Sequence, residues 1–353
     1  MKNIKLTFFL ISCGWLYGCH NLEPTNIDRL FAKTPEIKLT IRSSNIKSDD
    51  IGTPVYYTCI DSLLIVSEMF SSHFITVYNV NNGEVLNRFA AKGRGPNEFL
   101  GIGGIYFSND YLIMQVTMPN RMAFVHKNDL LNPQPDMQIV TLKEDGLSYL
   151  KIAPVSKGLF MGTVAFSDKN KKDQFAFVNM DGEYLYPVDS YPLNQQLKNM
   201  PNYDMAFGFQ GNLRPSTDGH SALYSGVLHG ILKFFRFEEN KPKKIKEYII
   251  AFPEFSSRAN PENDFYGVIA SKESIAGTLS VAVSDDSYYV LFSSQPQKYK
   301  SDVIFVFDLD GKPVHKILLN EYVEAIVYSK KDNALFAYWE KGEYPRIDII
   351  KLP

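Results

Sequence analysis

Apolar runs recur along this chain in a fixed order. Six times an apolar run, a two- or three-residue polar turn and a second apolar run follow one another. The first three pairs are Tyr56–Met69 around Asp61-Ser62, Ile105–Thr117 around Asn109-Asp110 and Ile152–Phe166 around Lys157-Gly158. The others are Leu213–Leu228 around Asp218-Gly219, Val281–Ser294 around Asp285-Asp286 and Ala325–Glu340 around Lys331-Asp332-Asn333. Each pair predicts a β-hairpin. Successive turns lie mostly in the high forties of residues apart and exceed sixty only where insertions are visible. A period of that size made of strands predicts radial repetition, a β-propeller, rather than a two-sheet sandwich.

A third apolar run follows each hairpin: Phe74–Val80, Met122–Lys127, Phe175–Met180, Ile231–Phe237, Val303–Leu309 and Arg346–Leu352. Three of these end in near-identical turns, Asn81-Asn82-Gly83, Met180-Asp181-Gly182 and Leu309-Asp310-Gly311, whose Asn-Gly and Asp-Gly pairs tolerate positive φ. A more polar fourth run comes next, as in Val85–Ala90 and Pro313–Leu319. Four-stranded blades running from inner to outer strand result. The sixth unit ends at Pro353 after its third strand, and Glu36–Arg42 alternates apolar and charged residues before the first blade. That segment is expected to supply the outer strand of the last blade and so close the ring, hiding open sheet edges. The fold class is therefore all-β, a six-bladed propeller spanning residues 36–353 as one domain. The second-to-third connections and the links between blades are the long ones, the largest being Asp189–Asn212 and Pro253–Ala276. Both classes open on one face, where a rigid ring usually carries recognition residues.

The start of the chain reads as an export signal. Lys2 and Lys5 precede the short apolar core Leu6–Leu16, which is too short to span a bilayer. Leu16-Tyr17-Gly18-Cys19 places a small residue directly before a cysteine, the pattern of a bacterial lipoprotein signal cut after residue 18 and acylated at Cys19. Tyr17 stands where that pattern usually has a small residue; the competing reading is a secreted protein cut elsewhere. Residues 19–35 read as a tether between lipid and ring. With Cys13 removed and Cys19 acylated, only Cys59 remains, so no intrachain disulfide is expected. A chain this long can bury a sufficient core without one.

Removing the signal removes two lysines and no acid, moving the formal charge from −2 to −4. That near-neutral balance leaves no electrostatic footprint for nucleic acid. Lys241, Lys243, Lys244 and Lys246 form a basic run on an outer strand, either a guard against strand addition or a contact for an anionic surface.

Between the first and second blades stands Gly93-Arg94-Gly95-Pro96-Asn97-Glu98-Phe99, and before the fourth Gly208-Phe209-Gln210-Gly211. With the lipoprotein-type signal, these motifs resemble the TolB-like six-bladed propeller lipoproteins of Bacteroidetes over essentially the whole mature chain. The resemblance implies the propeller and an envelope location but little chemistry, since most members have no assigned activity. In that group an acidic run after the lipidated cysteine accompanies display on the cell surface. The chain has His20-Asn21-Leu22-Glu23 there, which favours the periplasmic side of the outer membrane.

Two readings of the first motif stand. In one, Gly93 and Gly95 adopt backbone angles closed to other residues, Pro96 stiffens the turn, Glu98 accepts N–H bonds from the glycine loop and Phe99 plugs the core between blades. In the other, Arg94 and Asn97 sit at a funnel mouth, where a guanidinium grips a carboxylate or sulfate. Arg121 and Arg346 before third strands, Arg214 entering blade four, and Arg258 with Tyr266 in the largest insertion would complete a ring suited to an anionic glycan or extended peptide. Of the histidines, His73, His126 and His229 are conceivable site members. Gly-x-Ser-x-Gly, His-Glu-x-x-His and Cys-x-x-Cys are all absent, and no carboxylate stands out on the inner strands, which disfavours an axial calcium site. No metal, cofactor or catalytic residue is assigned.

The sequence thus predicts a membrane-anchored, non-catalytic propeller that binds an envelope protein, peptide or glycan through its long-loop face. The rival is a hydrolase or lyase acting on a sugar or lactone, with Glu98, His229 and the arginines as its groups.

Overall fold

The computed structural model describes residues 25–353 apart from positions 96, 118–119, 144–146, 157, 168–172, 193–196, 198–199, 201, 239–240, 259–266 and 343. Four-stranded antiparallel sheets follow one another as blades around an axis. Blade one consists of Pro54–Ile60, Leu63–Glu68, His73–Asn79 and Val85–Ala91. Blade two consists of Ile102–Ser108, Tyr111–Val116, Arg121–His126 and Gln138–Thr141. Blade three runs Leu147–Ser156, Leu159–Ser167, Asp173–Asn179 and Tyr184–Ser190. Blade four runs Gly211–Pro215, Ser221–Gly226, Ile231–Glu238 and Lys241–Ile249. Blade five has Ile275–Val283, Ser287–Pro296, Ser301–Asp308 and Pro313–Val323. Blade six has Ala325–Ser329, Ala334–Lys341 and Tyr344–Lys351. Each inner strand neighbours the next, and the sixth meets the first. The ring is closed.

Turn chemistry explains the repeat. Positive φ falls at Asp61, Asn109, Asp110, Gly158, Gly219 and Asn333 in the first turns of blades, and at Gly83, Gly182 and Gly311 in the three similar third-to-fourth turns. In those three, the side chains of Asn79, Asn179 and Asp308 accept the backbone N–H two residues on, at 2.9, 3.0 and 3.0 Å. The side-chain oxygen presets the turn before the strands pair.

The core lies between blades rather than within them. Ile65, Ile75 and Phe89 meet Ile105, Met114 and Val125 between blades one and two. Phe175 and Phe177 pack on Tyr224, Phe235 and Phe237 between blades three and four, with ring centroids 4.9 to 5.7 Å apart. Similar clusters join blades four to five, five to six and six to one. The aromatic-rich composition is used here, since large rings fill the space between twisted sheets.

Closure differs in detail from the sequence expectation. Glu36–Leu39 pairs in parallel with the outer strand of blade five, Glu36 opposite Lys316 and Leu39 opposite Leu319. Only Ile41–Arg42 pairs with blade six, opposite Ile350 and Ile349. The N-terminal strand therefore laces the last two blades together. The expected tether is also shorter than residues 19–35. Thr25 already bonds to Ile249, and a short helix, Ile27–Leu30, is capped by Asn26, whose side chain accepts the Arg29 N–H at 3.0 Å. Ile27 and Phe31 are buried, Phe31 lying 4.9 Å from Phe305 and 5.1 Å from Phe307. Two apolar anchors in a polar stretch are enough to dock it.

Candidate functional site

Antiparallel order puts the first-to-second and third-to-fourth turns on one face and the longer loops on the other. A cavity of about 720 Å³ opens on the axis at the tight-turn face. Its wall is formed by the last residues of inner strands and their turns, from Tyr57–Asp61 in blade one to Val327–Tyr328 in blade six. Tyr106 and Arg214 line its deep end and also a small void of about 10 Å³ beyond, with Tyr56 and Lys151. These four side chains plug the middle of the channel.

The plug is built from cations and phenols. The Arg214 guanidinium donates to the Ile105 carbonyl at 3.2 Å and lies 5.7 Å from the Tyr106 ring centroid. The Lys151 ammonium donates to the Tyr56 hydroxyl at 2.7 Å and to the Gly103 carbonyl at 2.5 Å. No carboxylate pairs with either cation among the described ion pairs. Desolvation holds both Arg214 and Lys151 below their usual pKa, and the nearby Arg214 charge lowers Lys151 further. Burial also pushes the Tyr106 phenol up, so it stays protonated. Two cations with only neutral oxygen partners form a site of positive potential on the axis.

Around the mouth, charges are matched. Lys127 pairs with Asp110 at 2.7 Å and Lys330 with Asp285 at 2.6 Å, while Thr217 donates to Asp285 at 3.1 Å. Ser216, Ser284 and Ser329 donate to Asp218, Asp286 and Asp332 in the turns of blades four to six. Those acids are therefore turn locks. Cys59 lines the wall as a free thiol that burial keeps protonated.

The sequence-predicted residues do not form one ring. Among the described ones Arg214 alone reaches the cavity, from the axis rather than from a long loop. Arg346 forms an ion pair with Asp348 at 2.9 Å, donates to Ser43 at 2.8 Å and sits 5.6 Å from the Trp339 ring, binding the closing segment to blade six. Arg121 packs over Phe99 at 5.6 Å between blades one and two. Arg94 and Asn97 are exposed on the loop that follows blade one, Asn97 at φ 59°. Arg258 is exposed, its N–H bonded to Gly267 within the insertion; Tyr266, Pro96 and Cys19 lie outside the described residues.

Glu98 and His229 are occupied. The Glu98 carboxylate accepts the Gly95 N–H at 2.7 Å, and Phe99 is fully buried, as the first reading of that motif expects. The reason for the glycines is different from the expected one. Neither Gly93 nor Gly95 has positive φ; a β-carbon on Gly93 would stand 1.9 Å from a Glu98 oxygen. His229 is wholly buried and its Nδ1 accepts the Ile231 N–H at 3.2 Å. Its Nε2 lies 3.3 Å from the Tyr224 hydroxyl, and desolvation lowers its pKa to about 3. The second glycine motif is likewise packing: the Phe255 ring fills the space of a Gly208 β-carbon, and Phe209 lies 5.3 Å from His229. Among the described residues no group of three or more His, Cys, Asp or Glu side chains is placed to hold a metal ion.

Lys151, Tyr56 and Tyr106 escaped the sequence reading. Their signal was there: Lys151 is the lone charged residue of its inner strand, where the axis can receive it.

A model of the family described as TolB-like 6-blade propeller-like matches residues 35–331. The chain belongs to that family. Its propeller fold is shared with a protein described as exported from Bacteroides fragilis NCTC 9343, at 11% identity and TM-score 0.57, covering 89% of this chain and 98% of that one. A structural-genomics protein of unknown function from Bacteroides thetaiotaomicron VPI-5482 is similar at 10% identity and TM-score 0.52, over 88% of this chain and 76% of that one. A quinone-bound aldose sugar dehydrogenase from Streptomyces coelicolor aligns at 15% identity, over 89% of this chain and 97% of that one, with a TM-score of 0.47. No curated protein matches the chain.

Proposed function

We propose that this family member is an envelope lipoprotein, anchored through Cys19, that binds a small organic anion in the axial funnel. The observation that carries this reading is Arg214. Its guanidinium lines the deep end of a cavity of about 720 Å³ with a carbonyl and an aromatic face as partners and no paired acid. A desolvated cation without a counter-charge costs free energy that an incoming carboxylate or sulfate would recover. The volume suits a small ligand, and Tyr57, Thr58, Ser108 and Asn109 offer hydroxyl and amide groups along the wall. A carboxylate-bearing saccharide combines the required charge with that polar lining.

Binding at the funnel is preferred to the long-loop ring as the recognition site, because the ring's described members are dispersed or spent in packing. The hydrolase or lyase reading draws no support, since Glu98 and His229 are committed to backbone and core. Calorimetric titration with glucuronate and short uronic oligosaccharides, against neutral glucose as control, tests the proposal. Saturable binding of the acids that Arg214→Met abolishes supports it, and binding unchanged by Arg214→Met overturns it. Export and anchoring rest on the signal and Cys19. Retention of Cys19→Ala in the membrane fraction would refute the anchor.

A further inference from the structure

We infer that the long-loop face lies against the bilayer, with the funnel opening away from it; this rests on acylation of Cys19 as proposed above. The path of the first described residues fixes the side. Thr25 donates its N–H to Ile249, the last residue of the outer strand of blade four, at the long-loop end. From there the chain passes along the ring, buries Ile27 and Phe31, and reaches the opposite end, where the Pro35 carbonyl accepts the Lys316 N–H at 2.9 Å. It then returns as the two short closing strands. Chain entry is therefore at the long-loop rim, between blades four and five.

Covalent reach does the rest. Six Cα steps separate Cys19 from Thr25, and a fully extended chain covers at most about 22 Å over that length. A seven-residue strand is itself about 23 Å long. An acyl group in the membrane thus holds the long-loop rim close to it and leaves no slack to carry the anchor round to the other face.

The surface so placed has the matching chemistry. Phe70 is 79% exposed and Met69 50%, in the second-to-third loop of blade one. Tyr299 and Tyr322 on blade five are 55% and 42% exposed, and Tyr344 on blade six is 66% exposed. Leu100, beyond blade one, is 41% exposed. They form an arc over blades five, six and one, beginning beside the point of chain entry. Cations are interleaved with them: Lys298 lies 3.8 Å over the Tyr322 ring, and Lys300 and Arg94 are exposed. Aromatic and aliphatic side chains mixed with long cations are the composition that settles at a headgroup interface, where rings meet the acyl boundary and cations meet lipid phosphates.

The test uses the full-length acylated protein in phosphatidylethanolamine–phosphatidylglycerol vesicles carrying brominated acyl chains. Phe70→Trp and Tyr299→Trp report the long-loop face; Tyr111→Trp, at the start of the second strand of blade two, reports the funnel face. With the parent's Trp339 signal subtracted, emission at positions 70 and 299 is expected to shift to the blue and be quenched at least twofold, with position 111 unaffected. Vesicle-bound protein without quenching at 70 and 299 overturns the apposition and leaves the anchor standing. Shielding of those positions by a co-purifying protein, again without bromolipid quenching, assigns the face to that protein and overturns it equally. Protein that is not acylated at Cys19 and stays in the supernatant overturns both readings.

Discussion

The carboxylate of Glu98 occupies the space that a β-carbon on Gly93 would need, with 1.9 Å between them. The same carboxylate accepts the Gly95 N–H, so the glycines and the acid act as one packed unit above Phe99. Gly93→Ala should therefore cost about 1–3 kcal/mol through overpacking. Glu98→Ala should cost about 1 kcal/mol for the lost hydrogen bond. Together they should cost less than the sum, because removing the carboxylate makes room for the methyl. Urea unfolding of the two single variants and the double variant measures the coupling, and strict additivity would refute the unit.

Phe31 ties the N-terminal segment to blade five through Phe305 and Phe307. Truncation to Ala removes both ring contacts and opens a cavity, at a cost of about 3 kcal/mol. Because the strands at 36–42 lace blades five and six, their release should loosen the ring seam as well. Limited trypsin digestion at the exposed Arg29 and Lys33 should accelerate at least tenfold in Phe31→Ala. Unchanged digestion would show that the closing strands hold without this anchor.

Much of this architecture is legible in the sequence, because strand period, Asx-type turns and blade spacing are local. Asn79, Asn179 and Asp308 announce their turns from two residues away. The division of Glu36–Arg42 between two blades is not local, since register there depends on where the outer strand of blade five ends. The site was harder to see. An arginine looks the same in sequence whether it caps a strand, as Arg346 does against Asp348, or faces the axis, as Arg214 does. Ring closure decides which, and it brings Tyr56, Tyr106, Lys151 and Arg214 together from four blades with no shared motif.

Arg214 gives opposite expectations for stability and for binding. Replacement by Met removes a desolvated cation that repels Lys151, so the ligand-free protein should stay within about 1 kcal/mol of the parent or gain stability. Binding of an acidic ligand should fall at least a hundredfold in the same variant. Paired thermal melts with and without glucuronate check both. A large loss of ligand-free stability would make Arg214 a residue kept for folding rather than for binding.

Lys233 is fully buried, and its ammonium donates to Gln174 at 2.8 Å, Asp189 at 2.7 Å and the Ser190 carbonyl at 2.9 Å. The cluster joins blade four to blade three. Lys233→Met replaces the ion by an apolar chain of similar length and should be mild, while Asp189→Asn leaves the buried ammonium only the more distant Glu247 carboxylate at 3.6 Å and should cost about 3 kcal/mol. Urea midpoints of the two variants compare them directly. The reverse order would mean that the ammonium itself, rather than its neutralisation, secures the joint.

His229 predicts the acid limb of the stability curve. Its folded pKa of about 3 lies below the ordinary 6.5, because burial disfavours the imidazolium. Below pH 6.5 the unfolded chain takes up a proton that the native chain refuses until near pH 3. The unfolded state binds more protons in that window, so stability falls as pH falls through it and levels off below about 3. At 1.36 kcal/mol per pKa unit, the loss from this one group approaches roughly 5 kcal/mol. His229→Asn should lower stability at neutral pH, where the core contacts to Phe209 and Tyr224 are lost, yet flatten the slope between pH 6 and 4. Urea midpoints of both proteins across that range check the prediction. An unchanged slope would place the proton uptake elsewhere, on carboxylates that become protonated in the unfolded chain.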